Sequence, residues 1–128
     1  MISSISTANA PSPAGHYAQA IVHGGLVYVS GQLPIHAETG EKCSGPIDEQ
    51  AKLALDNLAG ILEAAGSSVD RVLKTTVYIS DISLWAQVND VYASFFGAHR
   101  PARAVVPSRD LHFGLKVEIE AIAALTDA

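Results

Sequence analysis

Three charged residues near the C-terminal end of the chain have the types and the spacing to do chemistry. Arg103 lies early in one apolar segment, and Glu118 and Glu120 lie in a second one. The alternation of residues 116–120 predicts a strand, which places both carboxylates on one face, roughly 7 Å apart. If residues 102–106 also form a strand, the guanidinium and the carboxylates can face one sheet surface. Charges on half-buried strands are costly unless paired or used, so these residues indicate either a substrate site or an Arg–Glu pair that only closes a sheet.

Periodicity predicts the elements that must position these residues. Apolar residues at helical spacing predict one helix over residues 47–65 and a second that begins near Asp81 and Ser83 and ends at Gly97. Strands are predicted at residues 16–22, 26–32, 72–80, 102–106 and 115–124. Residues 1–15, rich in Ser, Ala and Pro, are expected to form an extended lead-in. The order ββαβαββ and the length predict one α+β domain over residues 1–128, whose sheet contains some parallel pairs.

Two helices can cover only one face of such a sheet. The other face is expected to carry Leu26, Tyr28, Ser30, Lys74, Thr76, Tyr78, Arg103, Val105, Glu118 and Glu120. This mixture is too apolar for an ordinary wet surface. We therefore expect a second copy of the chain to cover it in a homo-oligomer.

Composition excludes several classes of protein. The net charge of -5 argues against a nucleic-acid binder, which usually carries a basic patch. No apolar run is long enough to span a bilayer, so no membrane partner is expected. The N-terminal residues do not have the pattern of a signal peptide. Cys43 is the only cysteine, which fits a reducing compartment, and we expect a cytoplasmic protein.

Most familiar catalytic motifs do not occur in the sequence. The five histidines form no metal-ligand spacing, so no metal is expected. Ser30 lies in SGQ and not in a GxSxG elbow, and neither phosphate-binding glycine motif occurs. Trp85, Phe95 and Phe96 are at helical spacing and are interpreted as core. Taken singly, Tyr17, Ser30 and Asn89 are most simply a rim aromatic, a hydroxyl bonded to backbone and a solvated polar residue.

Several segments together resemble one known family. PARAVV followed by LKVEIEAIA resembles the C-terminal signature of the RidA/YjgF family of small trimeric proteins. Further resemblance lies in TANAPSPAGHYAQA, VYVSGQLPIHAETGE and VNDVYASFF, so that it covers nearly the whole chain. The resemblance implies a chorismate-mutase-like fold and a homotrimer with three clefts between subunits. It also implies hydrolysis of reactive enamines and imines, such as 2-iminobutanoate and 2-iminopropanoate, to 2-oxo acids and ammonia, with no cofactor.

The resemblance also implies roles for particular residues. Arg103 corresponds to the arginine that binds the substrate carboxylate, and Glu118 to the glutamate associated with the hydrolytic water. The substrate-binding positions of the family correspond to Tyr17, Ser30, Gly31 and Asn89. These positions would take an imino acid or its 2-oxo acid product.

The chain departs from the family pattern at three positions. Many deaminases of the family have cysteine where this chain has Val105, an acidic residue where it has Pro107, and proline where it has His112. The changes at Val105 and His112 leave open a larger substrate such as 2-aminomuconate. A non-catalytic trimer that only binds carboxylate metabolites is a separate alternative. RNA cleavage, sometimes attributed to family members, is disfavoured by the acidic net charge.

Overall fold

The structure, a computed structural model, describes residues 1–126 and contains two helices and six strands. In chain order these are β1 (Ser3–Ile5), β2 (Ala20–His23), β3 (Leu26–Gln32), α1 (Ile47–Ala64), β4 (Val72–Ile79), α2 (Trp85–Phe96), β5 (Ala102–Pro107) and β6 (Val117–Ala124). The predicted order is confirmed from β2 onward. The strand β1 is an addition, because residues 1–15 were expected to be extended without pairing. The strand β2 begins later than expected, at Ala20 and not at residue 16.

All six strands form one mixed sheet in the order β1-β2-β3-β6-β4-β5. The pair β4–β5 is parallel, and every other neighbouring pair is antiparallel. Parallel strands need a crossover connection, which α2 supplies between β4 and β5. As a result β6 lies near the middle of the sheet and β5 lies at its edge.

Both helices pack on one face of the sheet. The apolar stripe predicted for α1 is buried, and Val88, Tyr92 and Phe96 of α2 join the same core. Strands β3, β4 and β6 contribute their alternate side chains, which are Val27, Val29, Val77, Ile79, Val117, Ile119, Ala121 and Ala123. The opposite face of the sheet carries partly exposed side chains that include Tyr28, Tyr78, Glu118 and Glu120. Within residues 1–126 neither helix is long and apolar enough to span a membrane.

The expected face of Arg103 and Val105 is wrong. In the parallel pair β4–β5, Arg103 is opposite Thr75 and Val105 is opposite Val77. Residues opposite each other share a face, and both Thr75 and Val77 are fully buried beneath the helices. Arg103 and Val105 therefore lie on the helix face, away from Glu118. Trp85 also differs from the expectation, since it is 41% exposed and not part of the core.

Candidate functional site

Arg103 is held by α2 at the edge of the sheet. Its Nη1 donates a hydrogen bond to Asn89 Oδ1 at 2.9 Å. The guanidinium carbon lies 4.7 Å from the ring centre of Tyr92 and 5.7 Å from that of Trp85. Such cation–π contacts stabilise a guanidinium by about 0.5–1 kcal/mol at exposed sites. Tyr92 is fixed in turn by a 2.7 Å hydrogen bond to Thr75.

The orientation of Arg103 leaves one side of the guanidinium available. In the described residues only Nη1 makes a hydrogen bond, and no carboxylate lies within ion-pair distance of it. The Nε and Nη2 donors point side by side, which is the geometry that binds a carboxylate through two parallel bonds. Arg103 lines a cavity of about 520 Å³ together with Asn89, Tyr92 and Arg100 among others. The arginine half of the candidate site thus has the donors to bind an anion.

Glu118 is positioned by the close approach of Gly31. The two residues lie on neighbouring strands, β6 and β3, and a Cβ added at Gly31 would collide with the Glu118 carboxylate. Burial raises the pKa of Glu118 above its ordinary value of 4.5, and the nearby charge of Glu120 raises it further, while His112 acts in the opposite direction. A carboxylate with a raised pKa is a better proton acceptor.

The neighbouring carboxylate has a different environment. Glu120 Oε1 accepts a hydrogen bond from the Tyr78 hydroxyl at 3.1 Å, and this bond is the main reason that the pKa of Tyr78 is raised. Glu118 makes no side-chain hydrogen bond within residues 1–126. Of the two glutamates that the sequence singles out, Glu118 is therefore the one with a carboxylate free to hold water.

Of the remaining predicted residues, Tyr17 and Gly31 line a second cavity, which has a volume of about 120 Å³. Tyr17 is 50% exposed. Ser30 does not line this cavity, because its hydroxyl donates a 2.6 Å hydrogen bond to the Ala18 carbonyl. Ser30 thus holds the segment that carries Tyr17, as the simpler interpretation of this serine predicted.

The two halves cannot meet within one molecule. Glu118 is opposite Tyr78, which is opposite Val106, three residues beyond Arg103. The Cα atoms of Arg103 and Glu118 are therefore two strand spacings apart across the sheet and three residues apart along the strands. Together these displacements give a distance of about 14 Å. The side chains also point to opposite faces of the sheet. The expectation that Arg103 and Glu118 face one surface of the sheet is wrong. The alternative that they form an Arg–Glu pair which closes the sheet is wrong as well.

Comparison with known proteins identifies the family of this chain. The model of the family described as endoribonuclease L-PSP matches residues 7–125. The chain belongs to the RidA/YjgF family. Its mixed sheet with two helices is the RidA/YjgF fold, as the resemblance implied.

Relatives of this RidA/YjgF chain cover almost its full length. A RutC family protein of Pyrococcus horikoshii is 46% identical over 93% of this chain and 94% of its own. The 2-iminobutanoate/2-iminopropanoate deaminase of Homo sapiens is 42% identical over 93% of this chain and 87% of its own. The structure of TdcF from E. coli with bound serine has a TM-score of 0.92 at 39% identity, and covers 97% of this chain and 99% of that one. The family therefore includes imine deaminases.

Two residues that organise the site of this RidA/YjgF protein were not predicted. In the sequence Tyr92 is only one of the residues at helical spacing in α2, although its spacing of three from Asn89 places both on one side of the helix, where they can share a partner. Gln19 is buried, and its amide bonds to the backbone at Thr7, Ala10 and Pro11, which shapes the wall of the cavity beside Tyr17. No sequence pattern marked Gln19.

Proposed function

We propose that the protein is a deaminase that hydrolyses 2-imino acids, such as 2-iminobutanoate and 2-iminopropanoate, to 2-oxo acids and ammonia. We further propose that it does so in clefts between the subunits of a cytoplasmic homotrimer. The observation that carries the proposal is the fixed guanidinium of Arg103, whose open donor pair has no carboxylate partner within residues 1–126. The similarity to a named imine deaminase supports the same reaction.

In the proposed reaction Arg103 binds the substrate carboxylate and Glu118 acts on water. Arg103 is held by Asn89 before the substrate arrives, so binding costs little side-chain entropy. Water adds to the carbon of the protonated imine while Glu118 accepts one proton of the water, which gives a neutral carbinolamine. Glu118 returns this proton to the nitrogen. The C–N bond then breaks as the hydroxyl group gives its proton to Glu118, and ammonia leaves with a 2-oxo acid. A positioned base of this kind contributes about 10²- to 10⁴-fold to the rate.

A second copy of the chain is required by the chemistry of the substrate. The imine carbon of a 2-imino acid is bonded directly to the carboxylate carbon, so the arginine and the base must approach within a few bonds of each other. Within one chain the two Cα atoms are about 14 Å apart and the side chains face away from each other. We therefore assign Arg103 and Asn89 to one subunit of each cleft, and Glu118, Gly31 and Tyr17 to its neighbour.

The uncovered face of the sheet supports this assembly. Tyr28 on this face is 42% exposed, and a cavity of about 340 Å³ beside it is lined by Tyr28, Lys74, Thr76, Glu120 and Ile122 among others. A surface that mixes aromatic, aliphatic and charged groups in this way is typical of a subunit interface.

The test is a coupled assay in which a pyridoxal-phosphate dehydratase generates the enamine and semicarbazide competes for the imine. Arg103→Ala should lower kcat/KM by about 100-fold or more, because it removes a charge-assisted pair of hydrogen bonds. Arg109→Ala removes an exposed guanidinium outside both cavities and should leave the rate unchanged. Turnover by Arg103→Ala at the wild-type rate would refute the site.

The same assay distinguishes the alternatives. Arg100 lines the cavity next to Arg103, and a second guanidinium favours a diacid such as 2-aminomuconate. A higher rate on a six-carbon diacid than on 2-iminobutanoate would select that substrate. Stabilisation by 2-oxobutanoate in a thermal-shift measurement, with no turnover of either substrate, would indicate a binding protein instead.

A further inference from the structure

Phe113 is unusual in both its backbone and its exposure. It is the only residue other than glycine within residues 1–126 that has a positive φ, at 61°. Its side chain is 51% exposed, although it is large and apolar. A left-handed backbone is unfavourable for a bulky side chain, and such conformations cluster at binding and active sites. Phe113 therefore requires an explanation beyond packing.

The ring of Phe113 is held in place despite its exposure. It stacks on His112 with ring centres 5.0 Å apart and an angle of 25° between the planes. The Lys42 ammonium lies 4.6 Å from the centre of the Phe113 ring. Aromatic stacking and cation–π contacts both favour a fixed ring. The ring is thus presented as an ordered apolar surface.

Phe113 and His112 form one wall of the cavity that contains Tyr17 and Gly31. Leu33 and Ile35 also line this cavity, and no residue with a permanent charge is among the described residues that line it. The Glu118 carboxylate lies against Gly31 at its edge. A substrate whose reacting carbon is next to Glu118 can therefore extend its side chain between Tyr17 and Phe113.

We infer that Phe113 and His112 form an aromatic wall that selects 2-imino acids with an aromatic side chain. The inference rests on the proposed function and names a substrate class within it. The cavity has a volume of about 120 Å³. This volume is comparable to the volume of about 150 Å³ in apolar cavities that bind benzene, so the space is of the size class of a phenyl ring, whereas a methyl or ethyl group fills little of it.

The inference is tested by comparing two substrates in two variants. Phe113→Gly removes the ring and suits the positive φ, so it should fold normally. It should lower kcat/KM for 2-imino-3-phenylpropanoate about tenfold more than it lowers kcat/KM for 2-iminobutanoate, a difference equivalent to about 1.4 kcal/mol. Leu73→Ala is the matched control, because Leu73 is similarly exposed, at 48%, and does not line the cavity.

A binding measurement separates this inference from the proposed function. The corresponding 2-oxo acids, 2-oxo-3-phenylpropanoate and 2-oxobutanoate, are titrated by calorimetry into the wild-type protein and into Phe113→Gly. One result would support the aromatic wall and refute the deaminase. In that result no imine is hydrolysed, the aromatic acid binds the wild-type protein more tightly than 2-oxobutanoate does, and the difference disappears in Phe113→Gly. An equal loss for both acids and both imines, or dissociation of the oligomer, would show that Phe113 is an interface residue and would overturn the inference.

Discussion

The proposed cleft between two subunits of a homotrimer makes a quantitative prediction for mixed trimers. Arg103→Ala and Glu118→Gln should each be inactive alone, because every cleft then lacks either its arginine or its base. In a trimer that contains both variants, one of the three interfaces joins an intact Arg103 to an intact Glu118. This holds for either stoichiometry, two to one or one to two, because the interfaces of a ring run head to tail. Mixed trimers should therefore recover about one third of wild-type activity.

The experiment needs trimers that contain both variants and no others. The two chains are co-expressed with different affinity tags and purified over both resins in turn. Activity is measured with 2-iminobutanoate generated in the assay, after subtraction of hydrolysis in free water. Trimers reconstituted from either variant alone, carried through the same steps, give the baseline.

The alternative result is equally definite. If Arg103 and Glu118 of the same chain served one cleft, no mixture of the two variants would contain an intact cleft. Mixed trimers would then show only the baseline rate. That outcome would refute the geometry derived from the strand registers, in which about 14 Å separates the two residues.

Three further predictions concern Glu118 and its neighbour Gly31. Gly31→Ala should lower kcat by about 10- to 100-fold, with little change in Tm, because the added Cβ displaces only the flexible end of Glu118. The Tm of Glu118→Gln should increase relative to the Tm of the wild type as pH rises. The raised pKa of Glu118 means that its contribution to stability is present below about pH 4.5 and is lost as pH rises through the folded-state pKa. The rate of imine hydrolysis should rise over the same pH range above 4.5, as Glu118 loses its proton. A difference in Tm between Glu118→Gln and wild type that does not change with pH would contradict the raised pKa of Glu118.

The parts of the fold that the sequence predicted are those with one buried face. The strand β3 and the helix α1 alternate or repeat their apolar residues cleanly, and their observed bounds, Leu26–Gln32 and Ile47–Ala64, agree with the expectation to within one residue. Glu118 was placed on the correct face for the same reason, since β6 alternates buried and partly exposed residues along its whole length. When only one face of an element is buried, the period of its apolar residues predicts which side chains lie on that face.

The face of Arg103 could not be predicted because β5 has no such contrast. Apart from Arg103 itself, the residues of β5 are small or apolar on both sides, and β5 is an edge strand paired only with β4. Its orientation is set by the register with Thr75 and by the hydrogen bond to Asn89, neither of which is visible in the local sequence. The strand β1 was missed for a similar reason, since three residues are too few to show a period.

The proposed division of the site between two chains has a consequence for the precision of its geometry. Each half is preorganised within its own subunit, Arg103 by Asn89 and Tyr92, and Glu118 by the close approach of Gly31. The distance between the two halves is set by neither of them, but by the packing of one subunit on the next. Displacements of about 1 Å can reduce catalysis about 100-fold, so residues of the interface that touch no substrate still control turnover. If the open sheet face is the subunit interface, as proposed, its Tyr78–Glu120 hydrogen bond at 3.1 Å belongs to the packing that sets this distance.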